Sequence, residues 1–176
     1  MKSQQELSYP VGVFAATPAP TESTLNDWRQ IIADFPAQLR AETSGLKLKE
    51  LAYRYRPDGW TIQQIVHHCA DSHMNAFIRF KLALTEDNPT IKPYDEAAWA
   101  EMGDYQLPIE TSLSILDGLH TRWVALLKGM SKEQHQRSFF HPEHGTPFSL
   151  VLGLDNYQWH CRHHLAHVKQ AKTLKF

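Results

Sequence analysis

The sequence predicts an all-α chain built on four long helices, and three observations predict it. Four segments carry apolar residues at three- and four-residue spacing. Alternating strand patterns are nearly absent. A length of 176 residues suits one domain, and no composition shift marks a second. Residues 1–20 are expected as an extended N-terminal arm, because Pro10, Pro18 and Pro20 each disfavour helix in the residue before them. Residues 21–176 are expected as the single bundle domain.

The first helix is expected to open at Thr21, a good N-cap, with Leu25, Trp28, Ile31, Ile32, Phe35 and Leu39 on one stripe. Pro36 lies inside that stripe and predicts a kink or a break. A short helical piece around Leu48 to Tyr53 follows. The turn Pro57-Asp58-Gly59 then precedes Trp60 and Thr61. Thr61 and Gln64 make a capping-box pattern for the second helix. Its stripe runs Ile62, Ile65, Val66, Cys69, His73, Phe77, Phe80, Leu84, ending near Thr85.

Residues 86–107 form a long connection with a helical patch at Tyr94 to Glu101. A connection of that length crosses a bundle or covers a site. The third helix is expected from Pro108, with Leu113, Leu116, His120, Trp123 and Leu127 as its seam. Phe139 to Phe148 reads as a loop or small hairpin. The fourth helix starts near Ser149 and carries Leu154, Tyr157, Cys161, Leu165 and Val168.

Composition excludes several functions. Lys plus Arg number 18 and Asp plus Glu 19, a balance that gives no electrostatic footprint for nucleic acid or an anionic membrane. Two cysteines, Cys69 and Cys161, cannot form a disulfide scaffold and read as small buried apolar residues. The first residues, MKSQQELSYPVG, lack the apolar core of a signal peptide, and no apolar run is long enough for a transmembrane helix. A soluble, cytoplasmic protein is expected.

The compositional outlier is histidine, with 11 residues. Excess imidazole suggests metal or proton chemistry. The densest cluster runs from Trp159 to His167. His160 and His164, spaced i, i+4, stack on one helix face, and two imidazoles so placed can share an ion. His163 and His167 form a second such pair. Spacing leaves both pairs open, and the apolar phase of Tyr157 and Cys161 favours His160 and His164. No Glu adjoins His160, so the zincin pattern with its built-in base is absent. The second helix adds His67 and His68 on opposite flanks of its stripe, unresolved by periodicity. His73 and His120 lie within apolar seams and read as hydrogen-bonded core histidines. His141 and His144 read as surface residues.

The run from Tyr55 to Asn75, centred on Pro57-Asp58-Gly59-Trp60-Thr61-Ile62 and His67-His68-Cys69, resembles the DinB superfamily, and within it the YfiT-like metal-dependent hydrolases. Segments Ile78 to Glu86, Lys92-Pro93-Tyr94-Asp95-Glu96 and Trp159 to His167 extend the resemblance from Leu7 to about Lys169. It implies a four-helix bundle with one divalent ion, zinc or nickel, held by three histidines. The helix-two ligand of the family stands eight residues after the motif tryptophan, which is His68. The other two map onto His160 and His164.

The implied activity is hydrolysis of a small molecule, since three neutral imidazoles leave an ion its full charge and open positions for water. Asp71, one turn after His68, is the candidate catalytic base. A thiol S-transferase of the bacillithiol type is the alternative, because the same ion can deprotonate a low-molecular-weight thiol; Arg79, Lys81 and Arg162 would then meet the thiol's acidic groups. A non-catalytic metal-binding bundle is the third reading. The resemblance also implies a homodimer.

Overall fold

The computed structural model describes residues 3–176. The four long helices are present. They are α2 (Glu22–Thr43), α4 (Ile62–Thr85), α6 (Glu110–Lys128) and α8 (Leu150–Leu174). Short helical turns punctuate the connections: α1 (Gln4–Ser8), α3 (Leu48–Leu51), α5 (Glu96–Trp99) and α7 (Lys132–His135). A hairpin of β1 (Ser138–His141) and β2 (Thr146–Ser149) leads into α8, with Phe139 opposite Phe148. No helix of the described residues is long and apolar enough to cross a membrane.

The helix starts follow the capping chemistry of the sequence. Thr21 accepts from the Thr24 amide, and Ser149 from the Leu152 amide. Thr61 and Gln64 form the reciprocal capping box that opens α4. α2 differs from expectation at Pro36: the helix runs through it without interruption. Pro36 removes one internal donor, the N–H that would reach the Ile32 carbonyl, yet packing on both sides holds the turn. Pro36 itself is buried, between Phe35 at 1% exposure and Leu39 at 0%.

Packing arranges the long helices in a ring. α2 lies against α6 and α8, and α4 lies against the same two helices, so α2 and α4 stand diagonally. The apolar seams meet in one core that includes Ile32, Phe35, Leu39, Ile65, Phe80, Leu116, Trp123, Leu127 and Leu154. Because α4 and α8 are neighbours, His68 and the Trp159–His167 cluster face one another.

The arm departs from the expected extended form at α1, and it is docked along α8. The Leu7 carbonyl accepts from Gln170, the Ser8 carbonyl from His167, and the Gly12 carbonyl from the Trp159 indole. The Thr17 amide donates to Asp155.

α8 packs tightly on α4 at Gly153. A Cβ there would meet the Phe80 ring at 3.0 Å. Gly153→Val is therefore expected to cost about 1–3 kcal/mol by overpacking. The check is the urea midpoint of unfolding, and an unchanged midpoint would contradict this packing.

Candidate metal centre

Three helical positions converge on one point. His68 projects from the middle of α4, and His160 and His164 from successive turns of α8. One ring nitrogen from each lies within 4.8 Å of the other two. The Nε2 atoms of His68 and His160 are 3.3 Å apart. Tetrahedral zinc with Zn–N bonds of about 2.0–2.1 Å places its ligand nitrogens about 3.3 Å from each other, so this edge has the length that the ion requires. Burial holds all three rings below the ordinary histidine range, His68 at about 4, so each is neutral and keeps a lone pair. The donor set, its spacing and its protonation fit a divalent ion.

A second group shares His164. His163, His164 and His167 also bring one nitrogen each within 4.8 Å. Their surroundings differ. The His163 ring stacks on Trp159 with centroids 4.4 Å apart, and His167 stacks on Tyr55 at 3.8 Å. His167 Nε2 donates to the Ser8 carbonyl.

His67, His73 and His120 are hydrogen-bonded within the bundle. Both ring nitrogens of His67 are engaged, Nδ1 with Ser112 Oγ at 2.8 Å and Nε2 with the Leu107 carbonyl at 3.1 Å. That residue pins the long connection and α6 to α4. His73 and His120 are buried and hydrogen-bonded, and His73 also reaches His160. His144 is exposed, whereas His141 is buried at the end of β1 rather than on the surface, because the hairpin folds its side chain inward. Both cysteines are free and buried, and burial pushes their thiols well up, which leaves them protonated.

An open cavity of about 370 Å³ lies over the three rings. Trp60 forms one wall, with its ring 4.6 Å from that of His68. Tyr55, Arg56, Trp159 and the arm residues Ser8 and Tyr9 add to the rim, and His163 and His167 line the same cavity. The carboxylate on this rim is Glu96, at the start of α5. Loss of hydration raises its carboxyl above the ordinary range, Glu143 and Asp95 add to the rise, and Arg79 opposes it. Asp71 does not line this cavity. Its Oδ2 accepts from the Tyr105 hydroxyl at 2.7 Å, and burial raises its pKa while that bond lowers it.

Glu96 lies in the Lys92–Glu96 run, but the sequence alone assigns it no role. The only local signal is an acid in the first turn of a short helix, which is common for helix-dipole reasons alone. The arm's place on the rim is equally hidden, since nothing in a proline-rich segment states where it docks.

The chain belongs to the DinB superfamily, whose family model matches residues 32–168. It is 48% identical over 160 residues to a protein of Oceanobacillus iheyensis, covering 91% of this chain and 92% of that one. It is 49% identical over 164 residues to one of Bacillus cereus, covering 93% and 94%. Both bear the name "Putative metal-dependent hydrolase". Among solved structures it is similar to YfiT from Bacillus subtilis, described as "a probable metal-dependent hydrolase with an unusual four-helix bundle topology". The TM-score is 0.93 at 40% identity, covering 96% of this chain and 97% of that one.

The depressed histidines have a consequence for stability. Burial holds His68, His120 and His163 at about 4 and His167 at about 3, against 6.5 when solvated. Between pH 6.5 and 4 the unfolded chain binds more protons than the folded one, so stability falls as pH falls through that window. Each such ring contributes about 1.4 kcal/mol per pH unit there. Thermal melts of chelator-treated protein should show a marked drop in Tm from pH 7 to pH 5. A Tm that is flat across that range would mean that the rings are not buried as described.

Proposed function

We propose that this protein is a metal-dependent hydrolase of a small molecule, with His68, His160 and His164 holding one divalent ion. The observation that carries the reading is the convergence of three neutral imidazoles beneath an open cavity. When bound, the ion supplies a Lewis acid that polarises a substrate oxygen and lowers the pKa of water at its open positions. Zinc suits the three-nitrogen set, and nickel is the second choice. The names of the relatives support the same reading. A homodimer, implied by the family resemblance, belongs to this reading and is checked by sizing in solution.

The chain's own groups would do the rest. Trp60, Tyr55 and Trp159 provide flat apolar walls that limit water and position a substrate over the histidines. Glu96 holds or moves the proton, since it lines the cavity and lost hydration raises its carboxyl above the ordinary range. Asp71, engaged by Tyr105, is the second candidate for that role.

Metal analysis of untagged protein should give one equivalent per chain. Ala at His68, His160 or His164 should bring it well below one, and Ala at His67 or His163 should leave it near one. Full occupancy in His68→Ala with loss in His163→Ala would transfer the site to the neighbouring triad.

Turnover is tested on ester and amide substrates without added thiol. Glu96→Gln is expected to lower kcat by about 10²–10⁴ with metal content unchanged, and Asp71→Asn by much less. The reverse order would make Asp71 the base. Turnover that strictly requires a low-molecular-weight thiol and yields a thioether would replace hydrolysis with thiol transfer.

A further inference from the structure

One imidazole of the centre has a backing that the other two lack. The Nδ1 atoms of His68 and His164 are buried with no hydrogen-bond partner among the described residues. His160 Nδ1 instead lies 3.0 Å from His73 Nε2. His73 Nδ1 lies 2.7 Å from His120 Nε2, and His120 Nδ1 lies 2.7 Å from the Ile32 carbonyl oxygen. Four groups on α8, α4, α6 and α2 thus form one hydrogen-bonded line across the bundle.

We propose that His73 and His120 form a positioning relay that fixes His160 in its Nδ1–H tautomer, which leaves the Nε2 lone pair aimed at the ion. This inference rests on His160 being a ligand, as proposed above. The direction of every bond follows from the end of the line. A carbonyl oxygen only accepts, so His120 Nδ1 donates to it. A neutral imidazole carries one N–H, so His120 Nε2 accepts and His73 Nδ1 donates. His73 Nε2 then accepts from His160 Nδ1, and His160 Nε2 is bare. No other assignment of three neutral rings satisfies all three bonds. His73 and His120 are 0% and 2% exposed and make no ion pair among the described residues, which favours neutral rings. Phe35, Trp123 and Tyr157 pack around His73 and exclude water from the line.

The anchor explains Pro36. In an unbroken helix the Ile32 carbonyl would receive the N–H of residue 36. Pro36 has none, so that carbonyl is left for a donor from outside the helix, and His120 provides it. A residue that reads in sequence as a helix breaker thereby sets the polarity of the line. The gain is a preorganised ligand: free histidine populates both neutral tautomers, and one of them points an N–H at the ion.

The direct test is a two-bond ¹H–¹⁵N histidine spectrum of metal-free protein at pH 7, assigned with single His→Gln variants. His120, His73 and His160 should all show protonated Nδ1 and unprotonated Nε2. A His160 with protonated Nε2 would overturn the relay. Zinc affinity, measured by competition with a chromophoric chelator, reads the consequence. His73→Phe fills the space without an acceptor and should weaken binding about 10–100-fold. His73→Gln, whose amide oxygen can accept from His160, should recover most of that loss. Unchanged affinity in a folded His73→Phe protein would overturn the proposal. If His73→Phe does not fold, the wild-type spectrum decides alone. A wild-type protein that binds no zinc would defeat the three-histidine reading, while the spectrum would still report on the relay.

Discussion

Burying imidazole governs this bundle. Nine of the chain's eleven histidines are buried. A buried neutral ring has one N–H to place and one lone pair to use, and an unplaced N–H costs about 1–3 kcal/mol. His67 places both nitrogens on Ser112 and Leu107, and in doing so ties the long connection to α4. His73 and His120 place theirs on each other and on the Ile32 carbonyl. His68, His160 and His164 are left with nitrogens that face one another, an arrangement that a shared cation resolves better than any hydrogen bond between them. The same nitrogen accounting sets His67, His73 and His120 apart as structural, and leaves His163 and His167 as the rival pair beside His164.

The division of labour between helices and connections follows from rigidity. The three candidate ligands stand on α4 and α8, which pack directly and are held close at Gly153 and Phe80. The cavity above them is walled by the arm, Tyr55, Trp60 and the start of α5. Metal geometry needs sub-ångström constancy, which long packed helices provide, whereas substrate recognition tolerates the variety that connections allow. Glu96 belongs to the second group and meets the first at the cavity rim.

Much of this was legible in the residues. Thr21, Thr61 and Ser149 mark three helix starts by local capping chemistry, and the seams of α4 and α6 follow their periodicity, because both signals act within a few residues. The pairing of His160 with His164 is likewise a spacing effect within one helix. The choice between His67 and His68 came from the family motif at Trp60 and not from periodicity, since both flank the same stripe. What stayed hidden depends on how one helix is rotated against another. His73 and His120 read as separate core residues, and nothing local states that their nitrogens meet. Pro36 read as a break because the lost donor is local, while its replacement, His120, comes from 84 positions later in the chain. The docking of the arm on α8 and the placement of Glu96 over the histidines are tertiary in the same sense.

The account stands or falls on which triad takes the ion, and a crystal of the zinc-loaded protein measured on both sides of the zinc absorption edge shows this most directly. One anomalous peak per chain is predicted, bonded to His68, to His160 through Nε2, and to His164, with His73 still hydrogen-bonded to His160 Nδ1. A peak bonded to His163, His164 and His167 instead, with His68 free of it, would contradict the account.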